Sequence, residues 1–160
     1  MTIRMTKLPG PPRQSEIDSL ADLEPSQLEL LDKPIYVTVA TLRESGPPHQ
    51  TVIWASRDDT HIYINSAKGR IKDRNLRARP GVSLMAVNPE NPYHWLSVEG
   101  TVVEIVDEED PERAAEVTTH IDDLGEAYVN KRPYPNRQPG EVRVMYKIEP
   151  TRIVAFGPIG

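Results

Sequence analysis

The sequence predicts a mainly β domain with helices, an α+β chain of about six antiparallel strands closed into a barrel. Three observations predict it. Short β-branched and aromatic runs recur, among them "IYVTVATL", "QTVIWAS", "HIYIN" and "VSLMAVN". The turns between the first three are too short for a parallel crossover, so these strands pair antiparallel. Many short antiparallel strands in a chain of 160 residues leave exposed edges unless the sheet closes on itself.

Each element has a local reason. Residues 1–14, "MTIRMTKLPGPPRQ", are rich in Pro and Gly and are expected to form a flexible arm, with 15–160 as one domain. Residues 15–34 place Leu20, Leu23, Leu28 and Leu31 at helical spacing. Ser15 with Asp18 and Ser26 with Glu29 read as capping boxes, and Pro25 suits the first turn of a second helix. Strands at 35–42, 50–56 and 61–65 then form a meander, joined by "RESGPPH" and "RDDT". A basic helix follows from Ile71 to Ala78, with Ile71 and Leu76 toward the core and its cations outward; Pro80-Gly81 stops it.

The second half continues with a strand at 82–88 and a long strand at 94–107, where Gly100 marks a bulge or bend. Asp110 as N-cap and Pro111 in the first turn open a longer helix. The Pro-rich stretch 130–140 is a loop of the length that tends to be functional. Residues 141–157 close the chain as one or two strands broken at Pro150.

Composition removes several function classes. Cysteine is absent, which excludes disulfides, thiolate metal sites and cysteine nucleophiles. No apolar run is long enough to span a bilayer, and the N-terminus has no secretory core, so the expected location is the cytoplasm. His49, His61, His94 and His120 are scattered without a carboxylate at ligand spacing, so no metal site is expected. No nucleophile elbow occurs.

The informative stretch is "NSAKGRIKDRNLRAR" at 65–79. Six cations, Lys68, Arg70, Lys72, Arg74, Arg77 and Arg79, share it with one carboxylate, Asp73, in a chain of net charge −5. A strand ending at Asn65-Ser66, then Gly69, then a helix start outlines an anion site. Gly69 permits close backbone approach, and the helix start offers free N–H donors. A phosphate is the expected guest. The pattern is not a P-loop. The competing reading, a solvated cationic face, applies most to Arg74, Arg77 and Arg79. An acidic chain does not favour nucleic acid.

Together, "VATLRESGPPHQTVIWAS", "IYINSAKGRIKDRNLRARPGVSLMAV" and "NPYHWLSVEGTVVEI" resemble the flavin/deazaflavin oxidoreductases with an FMN-binding-like split β-barrel, related to pyridoxamine 5′-phosphate oxidase. More narrowly the chain resembles the coenzyme F420-dependent branch, from about residue 28 to 157. The resemblance implies a homodimer with coenzyme F420 in a groove between subunits, passing hydride to an unsaturated small molecule. FMN is the alternative cofactor. An FMN-dependent oxidase or reductase and a non-catalytic cofactor-binding protein are the alternative functions.

On this chain the resemblance sets the cofactor phosphate on Lys68, Arg70 and Lys72, framed by Asn65, Ser66 and Gly69, with Asn75 supporting the loop. It lays the ring along Thr51, Val52, Ile53 and Trp54. It brings Pro92, Tyr93 and Trp95, and also Arg132 and Tyr134, from the partner subunit. Trp54 and Trp95 are read equally as core or as stacking residues. No catalytic acid is assigned; solvent, Arg132 and Tyr134 are the candidate proton sources.

Overall fold

The computed structural model describes residues 14–159. It is an eight-stranded antiparallel sheet with three α-helices. The strands are β1 (Gln14–Ile17), β2 (Val37–Leu42), β3 (Pro48–Ile53), β4 (Ala55–Arg57), β5 (Ile62–Ala67), β6 (Gly81–Val87), β7 (Trp95–Asp107) and β8 (Arg143–Phe156). The helices are α1 (Pro25–Asp32), α2 (Ile71–Ala78) and α3 (Ala114–Val129).

The sheet order is β3-β2-β6-β7-β8-β5-β4, with β1 added to β8. The first and last strands in that order, β3 and β4, are consecutive in the chain and separated by Trp54 alone. The chain therefore joins the two ends of the sheet and closes it into a barrel that is split at Trp54. Two long strands make the wrap possible. β8 pairs with β5 through residues 143–148 and with β1 through 153–156. Register shifts between Glu99 and Gly100, and again between Val102 and Glu104, bend β7 against β8.

The interior is filled from every strand, by Val39, Ile64, Leu84, Val98, Tyr146 and Ile153 among others, and Leu30 of α1 and Leu76 of α2 plug it. A smaller cluster of Val106, Val117 and Met145 fastens α3 to the outer face. His94 is buried and structural. Its Nε2 donates to the Ser26 carbonyl at 2.8 Å, tying α1 to the start of β7.

Several expectations are corrected. There are eight strands, not six, because the expected second strand is divided at Trp54 and residues 14–17 are extended. The simple meander is therefore absent: β4 and β5 pair across the sheet from β2 and β3. The N-terminal helix with a Ser15 cap is instead β1 followed by a short 3-10 turn at Leu20–Asp22. Residues 14–17 pair with β8 instead, Leu20 and Leu23 are buried from the turn that follows, and Leu28 and Leu31 lie on α1. Residues 1–13 of the expected arm lie outside the described residues, and Gln14 belongs to β1.

Pro25 does open α1, but Gln27 closes the cap, its Oε1 accepting from the Glu24 N–H at 2.9 Å. Asp110 accepts from Glu112 and Arg113 N–H at 2.9 Å each, but it closes the turn at 111–113 and is not the helix N-cap, which is Arg113. The regular helix starts later, at Ala114. The final strand runs through Pro150 unbroken. In α2, Leu76 is buried but Ile71 is exposed, and Lys72 takes the buried place.

Gly100 is required by close approach. A Cβ there would lie 2.7 Å from Ile148 Cγ2 and 2.8 Å from the Glu149 carbonyl. Gly100→Ala should lower stability by about 1–3 kcal/mol, read as a lower urea midpoint at unchanged m-value. An unchanged midpoint would show that the β7–β8 crossing has room to relax.

Candidate functional site

Where the barrel splits, β3, β5, the start of α2 and α3 meet around a cavity of about 250 Å³. Val52, Ile53 and Trp54 form one wall, Ile121 and Leu124 of α3 another, and Asn65, Ser66, Arg70, Lys72, Tyr134 and Arg143 supply the polar lining. Three cations and no carboxylate line it. Ser66 is buried, and its Oγ has no hydrogen-bond partner among the described residues.

Lys72 is the decisive group. The residue is 8% exposed, and its Nζ donates to Thr51 Oγ1 at 2.8 Å. Among the described residues no carboxylate pairs with it. Burial, then the nearby charges of Arg70 and Arg143, push its pKa down to about 8. A buried ammonium bonded to one neutral hydroxyl is a costly arrangement that a bound anion would offset.

The start of α2 is held by a buried carboxylate. Asp73 Oδ2 accepts from the Gly69 N–H at 2.9 Å, while its Oδ1 accepts from Arg77 Nε at 2.9 Å and from Tyr146 OH at 2.7 Å. Gly69 has φ +86°, a conformation that glycine adopts freely. The turn between β5 and α2 is thereby fixed, with Arg70 and Lys72 on its cavity side.

A second chain of hydrogen bonds runs behind the cavity. Arg143 Nε donates to Asn65 Oδ1 at 2.9 Å, so the Asn65 amide nitrogen must face His120. That nitrogen donates to His120 Nδ1 at 3.1 Å, which leaves the proton on Nε2, 3.0 Å from Ser56 Oγ. Burial lowers the His120 pKa to about 4, consistent with a neutral ring. Ser56 and His120 have the spacing of a nucleophile and base, but the tautomer is wrong: Nε2 is already protonated and cannot accept the Ser56 proton.

The expected site residues divide into those the structure brings together and those it does not. Val52, Ile53, Trp54, Asn65, Ser66, Arg70, Lys72 and Tyr134 share the cavity. Thr51 holds Lys72. Trp54 stacks on Tyr128 at 5.4 Å and meets Tyr134 edge-on at 5.8 Å. Lys68 turns away, pairing with Asp107 at 3.1 Å and Glu109 at 2.9 Å, which raises its pKa.

Gly69 spends its N–H on Asp73. Asn75 Nδ2 donates to Thr41 Oγ1 at 3.1 Å, under the helix. Arg132 pairs with Asp123 and Glu126. Pro92, Tyr93 and Trp95 do not line the cavity, and Trp95 stacks on Phe156 at 5.3 Å. Tyr134, expected from a partner, reaches the cavity of its own chain, where its ring lies 5.0 Å from the Arg143 guanidinium. Its loop is pinned by the Tyr134 N–H to Asp122 Oδ1 at 2.8 Å and by Arg137 to Glu108 at 2.7 Å.

Sequence reasoning missed Arg143, His120 in its positioning contacts, Ile121 and Leu124. Arg143 had one signal, a cation between valines at the start of a strand.

The cavity continues along α2. A cleft of about 560 Å³ shares Val52, Arg70 and Lys72 with it and adds His49 and Arg74. A trough of about 680 Å³ shares Ile71 and Arg74 with that cleft and adds Arg43, Glu44 and Arg79. Arg77 points elsewhere, onto Asp73 and Asp107. Among the described residues no metal-ligating cluster occurs, and no helix is long and apolar enough to cross a membrane.

A family model described as pyridoxamine 5′-phosphate oxidase matches residues 23–155. A solved F420 reductase is 29% identical with a TM-score of 0.66, the match covering 78% of this chain and 93% of that one. The conserved hypothetical protein Rv2991 from Mycobacterium tuberculosis is 22% identical, TM-score 0.63, over 86% of this chain and 92% of its own. HutZ, the heme storage protein from Vibrio cholerae, is 20% identical, TM-score 0.63, over 84% and 96%. The last two share the fold. No curated protein matches.

The His120 contacts predict a pH dependence of stability. Its folded pKa, about 4, lies below the ordinary 6.5. Between those values the unfolded chain binds a proton that the folded chain refuses. This ring's contribution is therefore complete above pH 6.5 and is lost as pH falls toward 4. Wild type should lose up to about 3 kcal/mol more than His120→Gln across that window, measured by urea unfolding. Parallel curves would show that the ring titrates normally.

Proposed function

Because the chain belongs to the pyridoxamine 5′-phosphate oxidase family, we propose that it is an oxidoreductase using coenzyme F420, transferring hydride between the deazaflavin and an unsaturated small molecule. The observation that carries the reading is Lys72: a buried ammonium without a carboxylate, beside Arg70 and the unpartnered Ser66 hydroxyl. These groups fit a phosphate.

When bound, the deazaflavin supplies the two-electron chemistry. The residues do the rest. Lys72 and Arg70 hold the phosphate with charge-assisted bonds. Val52, 62% exposed on edge strand β3, and Ile53 and Trp54 beside it offer an apolar wall for a planar ring. Ile121 and Leu124 keep water from one side. Tyr134 is the candidate proton source of the lining. Solvent reaching the open cleft is the other proton source.

F420 is favoured over FMN by the trough. Arg43 and Arg74 have no carboxylate partner among the described residues, and Arg79 donates to the Leu42 carbonyl at 2.8 Å, so three arginines against the single carboxylate of Glu44 leave the trough net cationic. An acidic tail extending from the phosphate would meet it. The F420 reductase at 29% identity supports the same order. FMN remains the second reading, supported by the family itself. We also propose a homodimer covering the exposed Tyr36, Val52, Val87 and Tyr93. Sedimentation at micromolar concentration should show about twice the 18.0 kDa chain mass; an 18.0 kDa species would overturn this.

Titration of F420 against FMN, followed by tryptophan fluorescence in a Trp95→Phe background that isolates Trp54, should rank F420 tighter. Tighter FMN would reverse the order. Reduced F420 should be oxidised when an enone or quinone is added.

Lys72→Ala should weaken binding of either phosphorylated cofactor about tenfold to a hundredfold. Its ligand-free stability should not fall. The folded pKa of Lys72, about 8, lies below the ordinary 10.5, so at pH 7 the folded chain keeps a charge that burial disfavours. That penalty lessens as pH rises from 8 to 10.5. Unchanged affinity would reduce the cluster to a solvated face.

A further inference from the structure

We propose that Arg143 is an anion-binding residue of this site, the third cation on the bound phosphate beside Arg70 and Lys72. The inference rests on the phosphate-cofactor reading above and assigns to the site a residue 64 positions beyond the end of the basic segment at Arg79.

Arg143 is 3% exposed yet lines the cavity. Its guanidinium is tied on one edge and free on the other. Nε donates to Asn65, Nη1 donates to Glu141, and Nη2 has no hydrogen-bond partner among the described residues. A guanidinium has five N–H donors in a rigid fork, and the Nη2 pair is the part a phosphate oxygen can use. The Tyr134 ring, 5.0 Å away, flanks the group. Arg143 also acts on Lys72, as one of the two charges that lower its pKa, so both cations converge on one volume.

Glu141 does not cancel this role. It lies on the loop side, pairs with Nη1, and is 3.9 Å from Arg70. It fixes the two arginines relative to each other while lining no part of the cavity. On the other edge, His120 orients the Asn65 amide so that its oxygen faces Arg143. The fork is therefore held in place before a ligand arrives, which reduces the ordering cost of binding. Lys68, the third cation expected from sequence, is occupied by Asp107 and Glu109.

The test compares F420 with its deazaflavin–ribitol core, which lacks the phosphate. Affinities of both are measured for wild type, Arg143→Gln and Arg143→Lys, with thermal unfolding of each ligand-free protein. Arg143→Gln should lose about tenfold to a hundredfold in F420 affinity while core affinity stays within about twofold. Arg143→Lys keeps a counter-charge for Glu141 and should show a smaller loss, again confined to F420. If Arg143→Gln does not fold, Arg143→Lys decides on the same criterion. Equal losses for F420 and core would make Arg143 structural and overturn the inference, as would an unchanged F420 preference. If wild type itself shows no preference for F420 over the core, the phosphate-site reading falls and the inference with it.

Discussion

The Asp73 carboxylate, 2% exposed and far from bulk water, is the point on which the site depends. A buried carboxylate is tolerable only when donors surround it. Here the donors come from three places: the Gly69 turn, Arg77 one helical turn on, and Tyr146 near the start of β8. Satisfying Asp73 therefore locks α2 to β8, the strand paired with β5. The neighbouring residue, Lys72, is carried into the interior as a consequence. Its burial follows from the geometry of the turn and helix rather than from any preference of a lysine for the core.

The electrostatics separate structural from available cations. Most of the basic side chains near the site are matched to carboxylates: Lys68 with Asp107 and Glu109, Arg77 with Asp73, Arg137 with Glu108. In a chain of net charge −5 this neutralisation is easy to supply. What stands out is the cations without it, Lys72 in the cavity and Arg43 and Arg74 along the trough. Unmatched charges in a concave, partly dry place concentrate potential and draw anions. A count of cations in the segment overstates the site, because the fold turns Lys68 and Arg77 onto carboxylates away from the cavity.

Strand existence was legible from β-branched texture at β2, β6 and β7, and α2 was bounded correctly from its proline-glycine stop and apolar residues. Gly100 was legible as a bulge because a glycine within an apolar strand has few other uses. The division at Trp54 was not. "QTVIWAS" has continuous strand character, and nothing local says that its halves serve opposite ends of the sheet. The first strand was hidden for the same reason: four polar-leaning residues become extended because β8 offers an edge.

By itself, the sequence determined the mainly β barrel, the cation-rich turn after a strand and the expectation of an anion, since these depend on residue types at short spacing. Only the tertiary structure decided which cations face the cavity. Lys68 and Lys72 are both lysines of one short segment, yet one meets Asp107 at the end of β7 and Glu109 just beyond it, and the other meets Thr51 of β3. Arg143 enters from the last strand. Such pairings are set by long-range strand order and register, where a shift of one residue turns a side chain to the opposite face, and no local pattern records that outcome.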